Sequence, residues 1–156
     1  MSGSVIFIDI DGVIVTERTL MGRTGRNALG DERCVAQLNR VTDATGASLV
    51  LSSSWRFCGL EEMRLIFRHW GVSGDLISMT PDLTQLSGES GLYSGVPRGR
   101  EIQKWMDENP VSVFTIVDDD GDMEHLTPWL VKTNFADGLT GADADRLIAM
   151  LRSDVE

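Results

Sequence analysis

The chain has 156 residues, carrying 14 Lys and Arg against 24 Asp and Glu for a formal net charge of -10. A chain this long fits one domain, here 1–156, burying about two thirds of its unfolded surface without disulfide staples. The acidity excludes broad electrostatic capture of nucleic acid or anionic membrane, so any nucleic-acid contact has to be local. Cys34 and Cys58 lack a metal-type spacing and read as inert thiols. With no signal-peptide core and no apolar stretch long enough to cross a bilayer, a cytoplasmic protein is expected.

The apolar run from Val5 predicts a buried strand over 4–9, and it ends in Asp9-Ile10-Asp11-Gly12. Two carboxylates on one side of the pleat repel. A hard divalent ion such as Mg²⁺ would join them; the alternative is a pair of solvated acids at a strand end. Residues 12–30, with Arg18, Arg23 and Arg26 among Gly and Thr, read as a flap-like loop. The spacing of Val35, Leu38 and Val41 predicts a helix from Asp31 to Gly46, followed by a second strand from Ser48 to Leu51.

A polar turn, Ser52-Ser53-Ser54, leads into a predicted helix over 55–70 with Leu60, Met63, Ile66 and Phe67 on one face. Residues 75–79 give a weaker strand, 80–97 a Gly- and Ser-rich loop, 99–108 a helix stopped by Asn109-Pro110, and 113–117 another strand. That last strand runs into Asp118-Asp119-Asp120-Gly121-Asp122. Asp120 and Asp122 read as N-caps of a helix opening at Met123, and Thr140 to Asp143 as the start of a final helix with Leu147, Ile148 and Leu151 inward. His69, His125 and the four Trp residues read as packing or surface groups.

Strands alternating with helices predict an α/β fold: a three-layer, doubly wound, Rossmann-like and mostly parallel sheet. In such a sheet ligands bind outside the carboxyl ends of the strands, where the strand order reverses. Asp9, Asp11, Asp118 and Asp119 are therefore expected to meet there around one ion.

The residues in sequence order resemble the four motifs of the haloacid dehalogenase-like (HAD) phosphohydrolases: Asp9 to Val13, Leu49 to Ser52, Arg98 to Ile102, and Val117 to Asp122. Ser53-Ser54-Trp55-Arg56, Arg98 to Ile102, Asp118 to Met123, Val131-Lys132-Thr133 and Gly138-Leu139-Thr140 narrow the resemblance to the HAD domain of Swiss Army Knife RNA repair proteins. The resemblance implies a Mg²⁺-dependent phosphatase in which Asp9 attacks phosphorus to form an aspartyl-phosphate and Asp11 transfers the protons. Ser52 and a third-motif cation would bind the phosphoryl group. That cation is usually Lys; here it is Arg98, with Arg100 and Lys104 as neighbours, and Ser53 or Ser54 is an alternative to Ser52.

Neither interval that usually carries a cap domain is long enough for one, so an open site is expected. Ser53, Arg56, Arg23 and Arg100 are candidate substrate contacts, with Arg18, Arg23, Arg26 and Arg56 forming a positive rim or, equally, mobile surface arginines. The substrate would be a phosphomonoester, at a polynucleotide (RNA) end or on a nucleotide. Two other classes remain: a receiver-type phosphorylatable signalling domain, and a catalytically silent phosphate-binding module. Receivers carry the phosphoacceptor Asp on a middle strand, whereas the strand ending at Ser52 has none at its tip.

Overall fold

The computed structural model describes residues 3–21, 30–86 and 96–152. Its central strand, β1 (Ser4–Ile8), buries Ile6 and Ile8 in one core and Val5 and Phe7 in another. Both faces of the strand are covered, which is why its sequence is an unbroken apolar run and not an alternation. β2 (Ser48–Leu51) pairs in parallel with one edge of β1, and β3 (Leu76–Met79) pairs with β2. On the other edge lie β4 (Val113–Asp118) and then β5 (Leu130–Lys132), also parallel. The order is therefore β3-β2-β1-β4-β5, and the chain reverses its direction of travel between β3 and β4. This is the Rossmann-type doubly wound order; the flavodoxin-like doubly wound sheets, receivers among them, run 2-1-3-4-5 instead.

The helices are α1 (Glu17–Met21), α2 (Glu32–Thr45), α3 (Leu60–Trp70), α4 (Leu83–Leu86), α5 (Arg98–Glu108) and α6 (Gly141–Arg152). α2, α3 and α6 cover the Ile6 and Ile8 face through Leu38, Met63 and Leu147, among others. The opposite face is covered by Ile102 and Trp105 of α5 together with Met123 and Leu126. Each fully buried side chain of this size contributes about 2 kcal/mol of apolar transfer energy. Asp31 caps α2 by accepting the Arg33 N–H, and Gly46 closes the helix in the left-handed conformation. Thr140 and Asp143 exchange side-chain and backbone hydrogen bonds at the start of α6, a reciprocal cap.

Several predicted elements differ in detail. The helix expected over 55–70 is two pieces, a 3-10 turn (Ser54–Cys58) and α3, because Gly59 sits at φ 89 and ψ 156 between them. Residues 17–21, expected in the flap-like loop, are helical, with Arg18 pinned to Asp31 at 2.7 Å. No α-helix opens at Met123. A 3-10 turn (Glu124–Trp129) containing Pro128 runs there, and it delivers the unexpected short strand β5. The loop over 80–97 contains α4, one helical turn.

Among the described residues no cap unit stands over the carboxyl edge of the sheet, and no helix is long and apolar enough to cross a membrane. Cys34 and Cys58 are both free. Burial pushes the Cys34 thiol up to about 11, so it is inert at neutral pH.

Candidate active site

The Asp9 N–H donates to the Val117 carbonyl and the Ser52 N–H to that of Ile8, so the ladder carries the chain one residue past β1 and β2. Asp118 ends β4 beside them. One carboxylate oxygen from each of Asp9, Asp118 and Asp119 lies within 4.8 Å of the others. Gly12 makes this approach possible: it has a φ of +84, and a Cβ there would overlap the Asp119 carboxylate. The two acidic strand ends thus meet at the point of order reversal.

Three acids cannot crowd in this way and all stay charged without compensation. Burial raises the Asp118 carboxyl, and the negative charge of Asp9 raises it further. Asp9 is also raised by burial, against the lowering effect of hydrogen bonds from the Ile10 N–H, Asp118 and Ser53 and of the Arg98 charge. Burial raises Asp119 as well. In the metal-free protein a proton is therefore retained among them. A cation can replace that proton, and an all-carboxylate oxygen set suits a hard ion such as Mg²⁺ better than a thiolate- or imidazole-seeking metal.

Among the described residues, Arg98 is the cation the fold brings to this cluster. Asp122 caps α5: its carboxylate accepts the Arg98 N–H at 3.0 Å and its carbonyl accepts the Gly99 N–H. A Cβ on Gly99 would overlap the Met123 carbonyl, so the start of α5 lies directly against the segment that follows Asp118. Burial works against the Arg98 charge, but Glu101, Asp9, Asp118 and Asp122 together raise its pKa. Arg100 pairs with Glu124 at 3.2 Å and Lys104 with Glu108 at 2.8 Å, both outside the cluster.

The other predicted residues divide. Ser52 is buried and its hydroxyl has no hydrogen-bond partner among the described residues. Ser53 caps the 3-10 turn through the Trp55 N–H and donates to Asp9, while Ser54 is exposed. The Asp11 side chain is exposed, is not one of the three clustered acids, and accepts a hydrogen bond from the Trp55 indole N–H at 3.2 Å. Arg56 is turned inward, bonded to Thr80, Pro81 and Glu101. Arg23 and Arg26 lie outside the described residues, so of the expected rim only Arg18 and Arg56 are seen, and both are held in ion pairs. A polar cavity of about 400 Å³ opens beside the site, lined by Ser54, Asp82, Pro97, Arg98, Asp120 and Asp122.

Two residues at the site escaped sequence reasoning. Trp55 reads from sequence as a packing tryptophan, although its place four residues after the end of β2 is a signal that its ring can face the edge. Asp122, expected from sequence to cap the segment that follows it, instead caps the start of α5, 24 residues earlier in the chain. Asp120, read with it, accepts the N–H of Gly121.

No curated protein matches the chain. Among solved structures it is similar to the HAD domain of the effector protein Lem4 from Legionella pneumophila, with a TM-score of 0.59 and 12% identity over 99% of both chains. It is also similar to the structure of a Pnkp1/Rnl/Hen1 complex, with a TM-score of 0.54 and 17% identity over 88% of this chain and 47% of that one. At such identities the likeness is one of fold. Residues 5–144, from β1 into α6, match the family described as the HAD domain in Swiss Army Knife RNA repair proteins. The span includes both acidic strand ends, Ser52 and Arg98, and the chain belongs to that family of HAD domains.

Proposed function

We propose that this chain is a Mg²⁺-dependent phosphomonoester hydrolase that works through an aspartyl-phosphate on Asp9. The observation that carries the reading is the meeting of Asp9, Asp118 and Asp119 within 4.8 Å at the switch point of the sheet. Asp9, Asp118 and Asp119 would hold the ion, leaving the Asp11 side chain, expected among the ligands from sequence, for proton transfer. When bound, Mg²⁺ offsets the charge of the phosphoryl oxygens and of the acids around them.

The chain's own groups account for the remaining steps. A carboxylate oxygen of Asp9 attacks phosphorus, and the bond to the leaving oxygen breaks as Asp11 gives that oxygen a proton. Asp11 then takes a proton from water as the water oxygen attacks the aspartyl-phosphate, and the bond from phosphorus to Asp9 breaks to release inorganic phosphate. The Trp55 indole holds the Asp11 carboxylate in place through this cycle. Ser53 orients Asp9. The unpartnered Ser52 hydroxyl and the Arg98 guanidinium donate to the phosphoryl oxygens.

The substrate class we propose is the phosphorylated end of a polynucleotide. Family membership supports it, and the described residues put no cap unit in the way of a large molecule. The test is phosphate release, with Mg²⁺ and with chelator, from 3′- and 5′-phosphorylated oligoribonucleotides, mononucleotides and sugar phosphates. Oligonucleotide ends should be the best substrates. Release that survives chelation would remove the metal from the reading, and equal rates on sugar phosphates would remove the polynucleotide.

A further inference from the structure

Glu101 is a carboxylate buried to 2% exposure on α5, and charged side chains are found so deep only when they are paired. Its Oε1 accepts from two arginines at once: from Arg56 Nη1 at 2.9 Å and from Arg98 Nη1 at 3.2 Å. Its Oε2 accepts the Leu83 N–H at 3.0 Å. Arg56 Nη1 in turn reaches the Thr80 hydroxyl at 3.0 Å and the Pro81 carbonyl at 2.9 Å. One carboxylate therefore ties together α5, the turn after β2 and the segment after β3.

The two arginines come out of this arrangement differently. Arg56, with a side chain 10% exposed, is committed to the scaffold. Arg98 is 23% exposed and gives Glu101 only Nη1; its Nε and Nη2 make no hydrogen bond among the described residues. The same side chain acts electrostatically on Asp9 and Asp118. We infer that Glu101 is a positioning residue: it anchors one arm of the Arg98 guanidinium so that the remaining donors stay aimed at the phosphoryl position, with Arg56 fixing Glu101 from the other side. The inference rests on the phosphatase reading only in assigning Arg98 to the phosphoryl group.

Substituting Glu101→Gln keeps the shape but places an amide, with donors of its own, against three donors. The test is a double-mutant cycle of Glu101→Gln with Arg98→Ala, reading kcat and KM for p-nitrophenyl phosphate with Mg²⁺, inorganic phosphate affinity by calorimetry, and the denaturant midpoint. Misplacing Arg98 should lower kcat and phosphate affinity about tenfold in the otherwise native chain. In the Arg98→Ala background the same change should cost less than about twofold, because the group it acts through is gone. Should Glu101→Gln fail to fold, Glu101→Asp, which keeps the charge for Arg56 and draws it back from Arg98, carries the same cycle.

An equal loss in both backgrounds would show a residue that merely stabilises the fold, and unchanged kcat and phosphate affinity in a folded variant would overturn the inference as well. A native chain with neither turnover nor phosphate binding overturns the phosphatase reading itself, and Glu101's role with it. Turnover that is abolished by Asp9→Asn yet indifferent to Glu101→Gln removes the positioning role alone.

Discussion

Arg98 interacts with two buried acidic centres that are built in opposite ways. Glu101 is oversupplied: two guanidinium groups and a backbone N–H converge on one carboxylate. The Asp9, Asp118 and Asp119 cluster is undersupplied: burial raises its carboxyls against a few hydrogen bonds from Ser53 and backbone N–H groups, and among the described residues Arg98 is the cation that acts on Asp9 and Asp118. Packing alone can account for the first, since a buried charge must be paired to be tolerated. Among the described residues no second cation offsets the charge of the other, which calls for a proton or an added cation. Electrostatic need left unmet by the protein's own groups marks the place where a ligand belongs.

The largest expected effect separates the chemistry of the undersupplied centre from everything else. Asp9→Asn should cut phosphate release by a factor on the order of 10⁴, as loss of a nucleophile does elsewhere, while the folded structure persists. Steady-state assays on p-nitrophenyl phosphate, with circular dichroism as the folding check, measure both. Retained turnover in that variant breaks the comparison at its root.

The next effect is on stability, and here the two centres should respond with opposite signs. Glu101→Ala strands two arginines in a buried site and should destabilise the fold by about 3 kcal/mol or more. Asp118→Asn in the metal-free protein relieves a crowded acid and should stabilise it by about 1 to 2 kcal/mol. Asp118 holds its proton in the folded state well above the ordinary carboxylate range, whereas the unfolded chain releases it near pH 4. Native stability in chelator should therefore fall as pH rises from about 4, and Asp118→Asn should flatten that slope. Mg²⁺ should do the same for the native chain and leave the variant nearly indifferent. Urea denaturation at several pH values gives all of these numbers; a variant less stable than the native chain in chelator would contradict the crowded-acid picture.

The strand ends were the most legible part of the sequence, because a buried parallel strand is apolar on both faces and its last residues stand out when they are charged. Asp9 and Asp118 stand out that way, and the alternation of such strands with helix-period segments makes the doubly wound fold legible. What was hidden depended on contacts distant in sequence. Arg56 looked like a rim cation, since nothing local to it shows that Thr80, Pro81 and Glu101 will fold around it. Asp122 looked like a cap for its neighbours and caps a helix that precedes it. β5 is three residues long and follows Pro128, too brief to carry a strand period. Glu101 was legible in part: three residues after Arg98 on a helix, it lies on the same face.

Asp31 offers a third acid in which supply and demand nearly balance, and so the smallest effect. Burial would raise its carboxyl, but hydrogen bonds from Thr16, the Arg33 N–H and Arg18 outweigh that and hold it below the ordinary range. Asn at this position still caps α2, so Asp31→Asn removes the charge and spares the cap, costing about 1 kcal/mol at neutral pH. Because the folded-state pKa is depressed, that contribution is present above about pH 4 and disappears as pH falls through the lower folded value. The stability gap between the native chain and Asp31→Asn should thus close on acidification, opposite in sign to the Asp118 slope. If it widened instead, the pairing with Thr16 and Arg18 would not be what holds α1 against α2, and the contrast between met and unmet charge would lose its third point.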